Sequence, residues 1–350
     1  MQTDAATRTT AEQRRAFYER MAPHHLAPLW EVLRGLITPE PRSDCRAALW
    51  RYDEVRPFLL ESAEIISARE AERRVLVLEN PGLPGQSRIT TSLYAGLQLI
   101  MPGEVAPAHR HAQSALRFIV EGSGGFTSVD GEKTYMSPGD FVITPSWTWH
   151  DHGHEGGGPM IWLDGLDIPL VRALDCSFAE GYGEAAHPLT RPVGDSLARF
   201  GSGLLPVDYE PVSRTSPVFN YPYARTREAL EVMRRSKEWD PCHGLKVQYV
   251  NPASGDYAMP TIGAFMQLLP KGFGSEPYRS TDATVYSVVE GSGRTMIGED
   301  IFAWGPRDIL VVPSWTRHWH QADTDAVLFS FSDRPVQKKL GLWREDRGNH

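Results

Sequence analysis

Along the first part of the chain, apolar positions recur at helical spacing. Phe17 and Met21, then Leu29 and Leu33, form a stripe at i, i+4. Pro23 and Pro28 interrupt it, because proline has no N–H to continue a helix. Thr10 and Gln13 have capping-box spacing, which predicts a helix start there. A second helical stretch is expected from Val55 to about Ala68. At Arg73 the period changes. RRVLVLEN and TTSLYAGLQLIM read as strands separated by the turn cluster NPGLPG. Short strands follow to about residue 168, with turns at VDGEK and SPGD. Residues 226–237 return to a helical period, and strand-like segments run from about Leu245 to about Phe331.

Two landmarks in this pattern occur twice. VEGSG at 120–124 returns at 289–293, and PSWTWH at 145–150 returns as PSWTRH at 313–318. The order is kept and the offsets are 169 and 168 residues, which implies two copies of one unit. The expected fold is therefore all-β, two small rolled or closed β units that hide their edges, with N-terminal and linker helices. The boundaries read as a helical extension over 1–72, a first β unit over 73–184, a linker with a helix over 185–240, and a second β unit over 241–350.

Composition narrows the class. Gly 31 and Pro 27 make about one residue in six, which favours short strands and turns over a helix bundle. A net charge of −8, from 36 basic and 44 acidic residues, argues against a nucleic-acid surface. Cys45, Cys176 and Cys242 are too few and too scattered for a disulfide framework or a zinc knuckle. No apolar run reaches the roughly 18 residues of a membrane helix. The N-terminus lacks the apolar core of a secretory signal. A cytoplasmic location is expected.

The histidines carry the chemistry. His109 and His111 stand two apart in a strand-like segment, so both imidazoles face one side. About forty residues on, His150, His152 and His154 alternate in the same way. A pair on one strand plus a histidine from another is how a barrel builds a facial metal site. Neutral imidazoles suit iron, zinc, copper or nickel rather than magnesium or calcium. In the second unit the positions matching His109 and His111 are Tyr278 and Ser280, and only His318 and His320 remain. That copy reads as a metal-free, structural barrel. Counting parity onward from His111, a regular strand points Arg117 into the same cavity, and on the LYAGLQLIM strand Tyr94, Gly96 and Gln98 share a face. A buried arginine needs an anion. Either a ligand carboxylate or an internal partner such as Asp164 meets that need. Trp147, Trp149 and Trp162 read as core.

Gly103 followed by His109-x-His111, and Gly139 followed by Pro145 and His150, resemble the two motifs of the cupin superfamily. The glutamate ligand usual in the first motif is absent, so the resemblance implies a three-histidine set of His109, His111 and His150. HRHAQSALRF, PSWTWHDHGHE and WLDGLDIP resemble, more narrowly, the gentisate 1,2-dioxygenases and their salicylate, 5-nitrosalicylate and 1-hydroxy-2-naphthoate relatives. That resemblance spans most of the chain. It implies a bicupin, homotetrameric Fe(II) enzyme that takes a small aromatic hydroxy acid and O2, and opens the ring between the carboxyl-bearing and hydroxyl-bearing carbons. It assigns Arg73, Gln98, Arg117 and His152 to the substrate pocket, with Arg74 beside Arg73, and strand parity adds Tyr94 to the same wall. His152 is expected to act there as acid or base. Asp164 reads either as the group that orients a pocket partner such as His152 or as a strand-end turn aspartate. Gly96 stands where gentisate enzymes commonly carry alanine, and a glycine is expected to leave more room around the ring. The rival classes are a non-redox metal cupin, an isomerase or hydrolase, and a non-catalytic binding cupin.

Overall fold

The computed structural model describes residues 2–348, with side chains from Thr10 onward. It divides into two compact units, Met1–Arg42 and Ser43–His350. The first holds the helices Gln2–Met21 and Leu29–Leu36 with a short 3-10 turn, Ala22–His24. Tyr18 ties the helices together, donating to Glu31 Oε1 (2.6 Å) and accepting from Trp30 Nε1 (2.8 Å). The first helix begins well before Thr10, which lies inside it. No Gly or Pro stands between Gln2 and Met21 to stop the helix from extending upstream.

In the second unit, the β pattern becomes two rolled barrels. A six-stranded antiparallel sheet runs in the order Asn220–Tyr221, Phe141–Thr144, Ala115–Glu121, Met160–Leu166, Tyr94–Ile100, Arg74–Val77. A five-stranded sheet faces it, in the order Ala179–Gly181, Val105–His111, His150–His154, Gly125–Val129, Glu132–Tyr135. The second barrel repeats the plan with Ile309–Val312, Thr284–Glu290, Ala326–Ser332, Gly263–Leu269 and Leu245–Gln248, faced by Asp300–Trp304, Gly293–Ile297 and His318–Ala322. Each large sheet is extended by a strand from outside its own repeat. Ala48–Trp50 pairs with Ile309–Val312 in the second barrel, and Asn220–Tyr221 pairs with Phe141 and Val142 in the first. The segments read as extension and linker therefore also supply strands.

Strand alternation sorts the core into layers. On the first large sheet, Leu97, Leu99, Leu116, Phe118, Ile161 and Leu163 face outward and pack against Met266, Phe329 and Phe331 of the second. Phe118 stacks on Phe329 with centroids 4.1 Å apart and planes 4° from parallel. Burying each such ring contributes about 1.5–3 kcal/mol, so the barrels share one apolar seam. The opposite faces close each interior separately. Ile100, Ile119, Met136, Val142, Met160 and Trp162 line the first, and Leu269, Tyr286, Val288, Trp304 and Leu328 are among those lining the second.

Candidate metal centre

The metal-site strand is Val105–His111, and its register against His150–His154 is irregular. Ala106 pairs with His152 but His109 with His150, so the strand carries one extra residue around Pro107. A proline without an N–H suits such a bulge. The bulge frees the Pro107 carbonyl, and that carbonyl accepts from His109 Nδ1 at 3.1 Å. His111 Nδ1 reaches Gln113 O, and His150 Nδ1 reaches Thr148 O, each at 2.9 Å. His111 and His150 are thus each oriented by a backbone carbonyl two residues away, which leaves the Nε2 lone pair for a ligand; His109 has the same carbonyl within reach but shares its Nδ1 with Arg73.

The potential ligand atoms of His109, His111 and His150 lie within 4.8 Å of one another, and they form the only such group of three among the described residues. His150 Nε2 is buried with no hydrogen-bond partner. An orphaned buried lone pair is costly, and a divalent cation satisfies it. Burial first, then neighbouring Arg73 and His111, pull His109 down to about 3, and burial pulls His111 down to about 4. His150 is held well below 6.5 in the same way. All three are neutral at physiological pH, the state a metal requires. The residues present fit a facial three-histidine centre with open positions for other ligands.

Beside it lies a charged row across the large sheet. Arg117 is directly opposite Asp164, which is directly opposite Gly96. Arg117 faces the histidines as expected, but not through a continuous strand: the chain bends between His111 and Ala115, and the neighbouring sheet aims the guanidinium. Gln113 leaves the row and donates to Ser177 Oγ (2.7 Å). Arg117 Nη1 donates to Thr144 Oγ1 (2.6 Å), Nη2 donates to His152 Nε2 (3.0 Å), and Nε stands 3.7 Å from Asp164 Oδ1 without a hydrogen bond. A guanidinium only donates. His152 Nε2 must therefore be the acceptor, so Nδ1 carries the proton, and Nδ1 is buried and unpartnered. Burial, then Arg117, hold His152 well below 6.5. Asp164 also accepts from Trp162 Nε1 (3.0 Å), yet burial still pushes its carboxyl up to about 6. Asp164 thus braces Arg117, and through it His152. Burial, then the nearby Asp164 charge, push the Tyr94 phenol up, and Gln98 is buried.

The two consecutive arginines part, because side chains at a strand start alternate. Arg73 turns to the histidines, with Nη2 3.3 Å from Pro107 O and in contact with His109 Nδ1. Arg74 turns away, held by both oxygens of Glu104 (Nη1 to Oε2, 3.0 Å) and by Ile66 O (3.2 Å). His154 contacts Gly158 O and accepts from the Gly156 N–H (3.0 Å), which pins a loop at the barrel end. Trp162 is fully buried, whereas Trp147 and Trp149 are half-buried and clamp Arg110, whose guanidinium lies 4.5 Å from each ring centre. Gly96 brings a further correction. A Cβ there would lie 2.5 Å from Val75 Cγ1 and 2.8 Å from Tyr94 Oη, so the space the glycine leaves is already filled. Thr144 and the Pro107 carbonyl were not legible in the pattern. The proline inside an otherwise strand-like EVAPAHRH was the available signal for the bulge.

In the second barrel Tyr278 pairs with His318 where His109 pairs with His150. The sequence reading of a barrel without the histidine pair holds at this position.

Two barrels of this topology in one chain, one holding three converging imidazoles, define a bicupin with a metal centre. Residues 96–166 match the Cupin domain family. The chain is 61% identical to gentisate 1,2 dioxygenase 1 of Aquipseudomonas alcaligenes, covering 96% of this chain and 97% of that protein. It is 37% identical to the 5-aminosalicylate 1,2-dioxygenase of Comamonas sp, over 94% and 89% of the two chains. A crystal structure of salicylate 1,2-dioxygenase from Pseudoaminobacter salicylatoxidans, in adducts with gentisate, superposes with a TM-score of 0.91 at 32% identity, covering 97% of this chain and 94% of that one. The chain belongs to the gentisate 1,2-dioxygenase family and is a ring-cleaving 1,2-dioxygenase. No helix among its described residues is long and apolar enough to cross a membrane.

Proposed function

We propose that the chain is an Fe(II)-dependent enzyme that takes gentisate and O2 and opens the ring between the carboxyl-bearing and adjacent hydroxyl-bearing carbons, giving maleylpyruvate. The convergent imidazoles, with His150 Nε2 orphaned among them, beside a buried arginine carry this reading, and the 61% identity to a gentisate 1,2 dioxygenase supports it. His109, His111 and His150 hold the metal. Iron held there would supply the redox chemistry between an ortho-hydroxy acid and O2. The protein's part is charge and orientation. Arg117, fixed by Thr144, Asp164 and His152, binds the acid's carboxylate, and Arg73 adds a second positive charge. With a cation at His109 Nε2, Nδ1 must carry the proton and donate to Pro107 O, so Arg73 gives up its contact with that nitrogen. His152 presents a neutral Nδ1–H as a donor to the substrate's phenolic oxygen or to the oxygen being transferred. Tyr94, Gln98 and Gly96 form the wall around the ring, and Val75 fills the space beside Gly96, which favours gentisate over broader salicylate turnover.

The first barrel is the catalytic one, and the enzyme works as a cytoplasmic homotetramer. A second reading, salicylate, 5-nitrosalicylate or 1-hydroxy-2-naphthoate as the true substrate, draws on the 5-aminosalicylate and salicylate relatives. Oxygen uptake by iron-loaded protein, with each acid in parallel and His111→Ala as control, tests both. Uptake with gentisate that vanishes in the variant is expected. Uptake only with another acid replaces the substrate. Zinc as the functional metal of anaerobically purified protein overturns the dioxygenase reading in favour of a non-redox cupin.

A further inference from the structure

The interior of the second barrel is not the inert copy that its missing histidines suggest. At the positions of Arg117 and Asp164 it carries Tyr286 directly opposite Ser330, with Phe265 in the place of Gly96. Lys246 enters from the edge strand, in register with Gln267. Its Nζ lies 5.0 Å from the Phe265 ring centre and 5.7 Å from that of Tyr286, so the ammonium is inside the barrel. Among the described residues it meets no carboxylate and no other hydrogen-bond partner.

The carboxylates nearby are committed elsewhere. Asp282 accepts from Arg334 Nε (3.2 Å) and Trp343 Nε1 (2.8 Å), and Asp240 accepts from Arg347 Nη2 (2.8 Å). The other groups facing Lys246 are His243, His318 and His320, all held neutral by burial. Lys246 is thus a surplus cation in an apolar surround. Burial, with Arg334 pushing the same way, drags it down to about 7. Two further polar atoms are unsatisfied: Ser330 Oγ and Gln267 Oε1, both fully buried, have no partner. Ser330 shares its strand face with Ala326 and Leu328 of the interior cluster, and Gln267 shares its face with Leu269, so both point inward. Lys246, His243, Arg334 and Trp343 keep part of their surface open to solvent, which marks the way in.

We propose that this interior is a second binding site, for a small organic anion: a monocarboxylate with a flat apolar body. Its carboxylate meets the Lys246 ammonium, its body lies against Phe265 and Tyr286, and the Ser330 hydroxyl completes the hydrogen bonding. An unpaired cation in an apolar surround and an orphaned hydroxyl are costly, and a carboxylate, which accepts from both the ammonium and Ser330 Oγ, satisfies them together. Among the described residues its histidines form no converging group of three metal ligands, so the site binds rather than transforms.

The test is equilibrium dialysis of labelled benzoate, which lacks the ortho hydroxyl, against iron-loaded wild-type protein and Lys246→Met. The variant is expected to bind one equivalent per chain fewer than wild type while its ring cleavage stays within about twofold. Equal stoichiometry in both proteins overturns the proposal. If Lys246→Met fails to fold, Ser330→Ala, which removes the hydroxyl without adding volume, decides in its place by the same count. Stoichiometry does not depend on turnover, so a wrong substrate or metal in the first barrel leaves this result readable.

Discussion

Replacing Arg117 by methionine separates two roles that the structure gives one side chain. The guanidinium is 3% exposed and bound to Thr144 and His152, with Asp164 at 3.7 Å. If it also holds the substrate carboxylate, removing it takes away a desolvated charge contact of about 3–4 kcal/mol. At about 1.4 kcal/mol per tenfold, kcat/KM falls by roughly two to three orders of magnitude. The same change strands Asp164, a buried carboxylate, and destabilises the fold by about 3 kcal/mol. Arg117→Met combined with Asp164→Asn removes both charges, and urea unfolding is expected to show most of that stability recovered. Oxygen uptake with gentisate is not expected to recover. A double variant within about threefold of wild-type kcat/KM refutes the reasoning, because Arg117 would then serve only Asp164.

Four further outcomes follow from other parts of the molecule. Val75→Ala opens the space beside Gly96 and should lower the gentisate-to-salicylate ratio of kcat/KM about tenfold, the worth of a small apolar contact; Gly96→Ala added to it should restore the ratio, and an unchanged ratio in Val75→Ala rejects the role. Gly96→Ala alone overpacks Val75 and should cost about 1–3 kcal/mol in urea unfolding. His318 is buried and held down at about 4, below its usual 6.5, so its contribution to stability is complete above pH 6.5 and is lost as pH falls toward 4. That loss is about 3 kcal/mol, and unfolding curves of wild type and His318→Gln should converge in that window. Phe118→Ala unstacks Phe329 at the seam between the barrels and should cost about 3–5 kcal/mol, visible as a lower urea midpoint with ring cleavage retained in the folded fraction.

Much of this protein is written locally. Period-2 alternation, turn clusters and a repeat offset of 169 and 168 residues specify two β units, because strand side chains alternate whatever surrounds them. The spacing of His109 and His111 puts both on one face for the same reason. Alternation alone leaves His150, His152 and His154 as candidates for the third ligand; the resemblance to the second cupin motif singles out His150, and the structure brings that imidazole to the pair. What depended on the fold are the features that need a second strand. Parity carried from His111 could not foresee the bend before Ala115; Arg117 points inward because Asp164 and Val142 flank it in the sheet. Adjacent Arg73 and Arg74 look equivalent in the sequence, and only strand direction and Glu104 send one to the metal site and the other away. Gly96 suggested space until Val75, from a neighbouring strand, proved to fill it. The second barrel shows the same division: missing histidines were visible in the sequence, but the unpaired Lys246 among Phe265, Tyr286 and Ser330 exists only once distant strands close around it. Residue type and period are properties of a segment, whereas charge pairing, occupied volume and orphaned polar atoms are properties of what lies across from it.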